Sequence, residues 1–340
     1  MRKRWKMILF VLLVLAIAAF AVGRWAWREL AGPGTKFADD SRVLFISTGA
    51  DYQSVVDSLI ALDAIADEQG FKWLCERKNY ATHVKPGRYR IPQGMSMNAL
   101  VNMLRAGEQE PVKLTFSNVD HLPELAGRVA RALEPDSVAF LQAFMDPALQ
   151  REVGLDKETL IGLFVPNTYE FWWTTTPEQF IARMRKEHDA FWNAKRVAKA
   201  KERGLSQQDV ATLASIVQAE TMRMSDAPKI AGVYLNRLRI GMPLQADPTL
   251  KFALGLDSVN RVLAKDKAVD SPYNTYRHTG LPPGPINMPE PRFIDAVLDA
   301  FVGQAHLDGH LALVDVVVRE ELVQGRIEQT DGHGQPVHRL

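Results

Sequence analysis

The amino-acid sequence predicts an α+β protein in three parts: an N-terminal transmembrane helix, a small α+β module and a larger mixed α/β domain. Three observations carry this reading. Arg2, Lys3, Arg4 and Lys6 precede an uncharged apolar run at 7–23. Residues 42–110 read strand, helix, helix, strand, helix. Residues 111–300 then alternate helical periods with proline- and aromatic-rich stretches that break them.

Residues 1–6 form a basic segment, and 7–27 an anchor. At 1.5 Å per residue the apolar run is about 25 Å long, near the lower limit for a bilayer span. Trp5 and Trp25 flank it as interfacial aromatics do, and the basic cluster stays cytoplasmic, sending the rest of the chain across. A cleaved signal peptide, with a small-residue site near Ala18 and Ala19, is the alternative. The length of the run, and Arg24 and Arg28 after it, favour a retained anchor. The cluster Ala31-Gly32-Pro33-Gly34 marks a linker over 28–41.

In the small module, 43–46 is a short apolar strand, and Val55, Leu59, Leu62 and Ile65 give helical spacing to 52–65. A second helix covers 68–77, Pro86-Gly87 turns the chain, 88–91 is a strand, and Ser96 caps a helix through Arg105. Beyond it, 112–116 alternates as a strand and 122–144 reads as mostly helical. Thr176-Pro177-Glu178 starts a helix running to about Ala200. Ser225 opens another, with Ile230, Val233, Leu235 and Leu238 apolar and Gly241 its stop.

Composition narrows the function classes. The chain has 340 residues, 46% hydrophobic and 24% charged, which suits about two domains with a sizeable core. A formal net charge of +1 gives no general attraction for nucleic acid. The single cysteine, Cys75, permits no internal disulfide and sits in an amphipathic run as a small core residue.

The segment LASIVQAET at 213–221 points to chemistry. Ser206 and Asp209 form a capping box ahead of it. Val210, Leu213, Ala214 and Val217 follow at helical spacing, and Glu220 continues that face, with Gln218 about 200° away. A carboxyl beside apolar side chains resists ionisation and suits a general acid. A surface Glu at a helix boundary is the alternative. Farther on, 271–289 is too rich in proline, glycine and tyrosine for a helix or central strand. Tyr273, Tyr276 and Asn274 offer flat faces and hydrogen-bonding groups of the kind a sugar chain needs, or else decorate a rigid surface loop.

These segments resemble the endolytic murein transglycosylase (YceG-like) family. The matching runs are S-I-V-x-x-E-T with Glu220, N-R-L-x-x-G-M-x-L-Q-x-D-P-T over 236–249, and Y-N-T-Y-x-x-x-G-L-P-P-G-P-I over 273–286. The K-P-G-R-Y segment at 85–89 and V-P-N-T-Y-E-F at 165–171 also fit. The resemblance implies a single-pass inner-membrane protein, with a periplasmic LysM-like module at 42–110 and a catalytic domain at 111–300. It implies endolytic cleavage of nascent peptidoglycan between N-acetylmuramic acid and N-acetylglucosamine, leaving 1,6-anhydro ends and terminating elongation. Its partners would be glycan strands, the lipid bilayer and peptidoglycan synthases.

Glu220 takes the catalytic position by that resemblance. Gln245, Asn274 and Tyr276 are candidates for positioning sugars. Asp247 reads as a supporting group or, preferably, as a turn-former before Pro248. Asn236 and Arg237 either brace the cleft or lie on a solvated helix face. Some relatives carry an acid where this chain has Gln218, but helical geometry turns that position away from Glu220. No cofactor or metal is required. His306 and His310 are four apart, yet Gly309 lies between them and no HExxH pattern exists. The alternatives are a non-catalytic peptidoglycan-binding scaffold and a hydrolytic muramidase, which would use water and leave reducing ends.

Residues 293–300 still fit the family. Beyond Phe301 the pattern is lost, and 301–340 reads as an atypical tail, with a strand-like run at 311–318 and a disordered end. A shifted reading frame near residue 301 would account for the abrupt loss, and resequencing that finds the frame intact would reject it.

Overall fold

The computed structural model describes residues 2–31, 34–35, 37–255 and 262–301. The fold is mixed α+β, as its sequence pattern predicts. Thirteen α-helices and four short strands, in two antiparallel or paired ribbons of two, occur among the described residues. The chain divides into two compact units, each built around its own residues.

The first unit comprises Met1–Leu114, Val129–Asp136 and Tyr169–Thr176. The latter two segments fall within the stretch that the sequence assigns to the larger domain. Helix α1 spans Arg2–Ala31. Its side chains are described without a break only over 10–21, all exposed. Among the described residues no helix is long and apolar enough to cross a membrane.

Strand β1 (Ser41–Ile46), α2 (Tyr52–Ala61), α3 (Glu68–Arg77), β2 (Gly87–Pro92) and α4 (Met97–Ala106) follow the expected order. Asp51, Asp67 and Ser96 each accept a hydrogen bond from a backbone N–H three residues on, capping their helices. The strands pair antiparallel, Val43 opposite Arg90 and Ile46 opposite Gly87. Leu44, Val56, Phe71, Tyr89, Ile91 and Leu104 make the apolar core beneath them. Gly34, Thr35 and Phe37 are not solvated as the linker reading of 28–41 suggests. Thr35 and Phe37 are buried, and the Gly34 N–H donates to the Met95 carbonyl at 2.9 Å. A Cβ on Gly34 would stand 2.6 Å from the Met97 backbone nitrogen, so the approach requires glycine.

The second unit comprises Thr115–Arg128, Ser137–Thr168 and the chain from Pro177 onward. Strand β3 (Val112–Phe116) pairs with β4 (Asn167–Phe171), and the Thr115 and Thr168 hydroxyls meet at 2.7 Å. Between them come α5 (Leu122–Ala130), α6 (Ser137–Met145), α7 (Pro147–Val153) and a 3-10 turn at Leu160–Leu163. The helical stretch expected at 122–144 is thus split, because Pro135 disfavours helical backbone at Glu134. Helix α8 (Pro177–Phe191) ends where Asn193 caps α9 (Ala194–Glu202), its side chain accepting from the Arg196 N–H. One long helix to Ala200 therefore becomes two.

The remainder is α10 (Gln207–Glu220), α11 (Ala227–Arg239), α12 (Asp247–Leu254), a 3-10 turn at Ala264–Ala268 and α13 (Pro291–Asp299). Helix α10 packs against α9, α11, α12 and α13. The expected capping box at Ser206 and Asp209 is present. Every residue from Val210 to Val217 is buried, so α10 is enclosed on all sides over two turns and not amphipathic as read.

Candidate active site

Glu220 is the last residue of α10. Thr221 is extended and ends the helix, its N–H still bonded to the Val217 carbonyl. The Glu220 side chain is half-buried. The Tyr234 hydroxyl donates to Glu220 Oε1 at 2.9 Å. Tyr234 is 7% exposed and stands in the middle of α11. The carboxyl therefore has one side held by a buried tyrosine.

Tyr234 went unread in the sequence, although a signal was available. It lies four residues after Ile230 and three before Arg237, on the buried stripe of α11. Arg237 settles the choice posed for it. It is 5% exposed and its guanidinium donates to the Leu244 carbonyl at 2.5 Å, so it braces the loop after α11 from within.

That loop is joined to the tyrosine-bearing loop. Pro243 and Thr279 form an antiparallel bridge. The Gln245 N–H donates to the Thr275 carbonyl at 2.9 Å, and the Ala246 N–H to the Thr275 hydroxyl at 3.0 Å. The Thr249 and Thr275 hydroxyls are 2.8 Å apart. Gln245 takes φ +53°, a left-handed backbone that costs a non-glycine residue about 1–2 kcal/mol. Such conformations persist where surrounding bonds over-determine them, as these do.

Asp247 does not merely form a turn before Pro248; it begins α12. Proline suits the first turn of a helix, and a carboxylate there faces the positive end of the dipole. Its carboxylate accepts a hydrogen bond from the Tyr276 hydroxyl. The Lys267 ammonium sits 4.4 Å from the centre of the Tyr276 ring. Gln245 and Tyr276 are half-buried, with part of each side chain open to solvent.

Asn274 differs. It is fully buried, its amide donating to the Lys267 and Val269 carbonyls at 3.1 and 2.7 Å and its oxygen accepting from the Tyr276 N–H at 3.1 Å. It offers no surface to a sugar hydroxyl. The residue type that suited sugar binding serves to fold the loop.

The 286–290 segment is fastened to the opposite side of α10. The Ser215 hydroxyl accepts from the Ile286 N–H at 3.0 Å, and the Ser215 carbonyl from the Asn287 amide at 3.0 Å. Gln218 donates to Asn287 Oδ1 and the Met288 carbonyl, both at 3.2 Å, and accepts from the Glu290 N–H at 2.8 Å. Gln218 and Glu220 thus engage different partners. Just before this segment, a Cβ on Gly284 would stand 2.1 Å from the Glu158 carbonyl oxygen.

A small cavity lined by Thr159, His188, Gln207, Gln208 and Pro285 lies at the other end of α10, about 20 Å of helix from Glu220. Burial holds the His188 imidazole below the usual histidine range, against the pull of Asp189 beside it. His306 and His310 lie outside the described residues, as does the tail beyond Phe301.

The fold and this site define an α+β protein with one helix-end carboxylate set among proline-rich loops. The chain belongs to the YceG-like family, whose sequence model matches residues 44–303. An endolytic murein transglycosylase of Bacillus subtilis (strain 168) is 29% identical over 275 residues, 76% of this chain and 76% of that one. One of Streptococcus pneumoniae serotype 2 is 28% identical over 305 residues, 80% of this chain and 54% of that protein's length. The crystal structure of a yceG-like protein of Listeria monocytogenes matches with a TM-score of 0.52 and 27% identity, covering 78% of this chain and 91% of that one.

Proposed function

We propose that this chain is a membrane-anchored endolytic lytic transglycosylase. It cleaves nascent peptidoglycan between N-acetylmuramic acid and N-acetylglucosamine, leaves 1,6-anhydromuramic ends and so terminates strand elongation. The observation that carries the reading is Glu220, the acid of the family's S-I-V-x-x-E-T run, held half-exposed at the end of a buried helix by a tyrosine hydroxyl.

One carboxyl suffices for this reaction, where ordinary glycoside hydrolases need two. The negative end of the α10 dipole works against a charge at its last residue and favours the neutral acid. Glu220 gives its proton to the glycosidic oxygen as the bond to C1 breaks. The carboxylate so formed takes the proton of the C6 hydroxyl of the muramic sugar, whose oxygen closes on C1. Each proton lost is replaced, and no water enters.

Gln245 and Tyr276, half-exposed on two bridged loops, are assigned to the sugars. Asn274 is assigned to the loop's own structure. The first unit's strand, two helices and antiparallel strand support its reading as a LysM-like module. In the sequence, the basic cluster of Arg2, Lys3, Arg4 and Lys6 and the uncharged apolar run at 7–23 support a single-pass inner-membrane anchor, with the N-terminus cytoplasmic and the two units periplasmic.

The test is Glu220→Gln, assayed on isolated sacculi by mass spectrometry of the soluble products. General acid catalysis is worth roughly 10²–10⁴-fold, so release of anhydro-muramyl ends should fall by at least about 100-fold with the thermal midpoint unchanged. Undiminished release rejects the assignment. Reducing ends in place of anhydro ends indicate a muramidase, and binding without products a scaffold.

A further inference from the structure

We infer that Tyr234 is a positioning residue for the proton transfers of Glu220, an inference that rests on the reading of Glu220 just given. The hydroxyl donates to Oε1 at 2.9 Å, and its ring is buried in the core cluster of the second unit. A donor on Oε1 favours the proton of the neutral acid on Oε2, since the carbonyl-type oxygen of a carboxyl is the better acceptor.

The same bond changes during the reaction. A hydrogen bond to an ionised acceptor is roughly twice as strong as one between neutral groups. As the proton leaves Oε2 for the glycosidic oxygen, charge builds on the carboxyl and the Tyr234 bond tightens. It therefore stabilises the transition state more than the ground state, which is the condition for raising kcat. Geometry supports a fixed donor. Tyr234 is on α11 three residues before Arg237, whose guanidinium is locked on the Leu244 carbonyl.

Several charged groups on the elements around α10 are paired with one another. Arg196 on α9 pairs with Asp295 on α13 at 2.8 Å, and Glu290 with Arg292 at 2.7 Å. Asp247 of α12 accepts from Tyr276. Arg223 and Asp226 lie in the turn that follows Glu220.

The experiment compares the full chain with Tyr234→Phe on solubilised glycan strands, following anhydro ends across pH. The expected result is a fall in kcat of about tenfold, an unchanged KM and an unchanged thermal midpoint. The alkaline limb of the pH profile should move to higher pH, because the carboxylate has lost a donor. Fluorotyrosine at position 234 keeps the shape and strengthens the donor, so it should move that limb to lower pH even if the phenylalanine variant folds poorly. An alkaline limb that moves in neither protein overturns the inference. If Glu220→Gln retains full activity, the reading of Glu220 falls first and this inference with it, a result distinct from an unmoved limb.

Discussion

The two compact units bury different chemistry. Among the described residues, the first holds only Thr35 and Thr175 as buried polar side chains, whereas the second holds Thr212, Ser215, Arg237, Thr249, Asn274, Thr275 and Asn287. The reason lies in the backbone. In the first unit, the paired strands and capped helices satisfy their own peptide groups, so its interior can be filled by apolar side chains. The loops at 240–247 and 271–290 share only the single Pro243–Thr279 bridge among their described residues, and their prolines lack an N–H. Buried side chains must supply the missing partners, as Ser215 does for Ile286 and Thr275 for Ala246. The first unit thus depends on volume and the second on directed bonds, and substitutions should separate the two.

Phe71→Ala probes volume. Phe71 is completely buried, and emptying such a site costs about 3–5 kcal/mol. Chemical denaturation should show a loss of that size in the transition of the first unit; a loss below 1 kcal/mol would mean that this core is looser than its packing implies. Gly284→Ala probes direction. Its Cβ would stand 2.1 Å from the Glu158 carbonyl, a backbone atom that cannot swing aside, so the 284–290 segment must shift. A displacement of about 1 Å can cost 10²-fold in rate. Anhydro-end release should fall about that much, and release at the parent rate would show that the segment does not shape the site.

The smallest effect comes with alkali. Burial pushes the Cys75 thiol from 9.0 up to about 12, and the Tyr89 hydroxyl from 10.0 to about 12. Above pH 9 the unfolded chain loses protons that the fold retains, so stability should decline progressively between about pH 9 and 12. Urea midpoints of the first unit at pH 7, 9 and 10.5 check this, and a flat profile would contradict it. The same burial should make Cys75 slow to react with thiol reagents at pH 8 until the unit unfolds.

Local signals were legible where local physics decides. The order of strands and helices in 42–106, the Ser96 cap and the Ser206 box all follow from periodicity and short-range bonds. The end of α8 was less legible, since the capping role of Asn193 competes with good helix formers around it. Glu220 could be placed on the Ser206 helix because helical positions can be counted, and the structure ends that helix at Glu220. Gln218 was placed away from it by the same count, but its partners at 287–290 could not be. Asp247 was misjudged because the start of a short helix and a turn share the same residues, aspartate then proline.

By itself the amino-acid sequence determined the α+β character, the capped helix that carries Glu220 and the irregular loops rich in tyrosine and proline. These depend on spacing, caps and the missing proline donor, all of which act within a few residues. Tertiary structure alone decided that Tyr234 holds the acid, that Asn274 turns inward and that Ser215 and Thr212 are buried on a helix read as half-exposed. A polar side chain is equally content with water or with a distant backbone group, and only the path of the chain 70 residues farther on, at Ile286 and Asn287, brought the partners that chose between them.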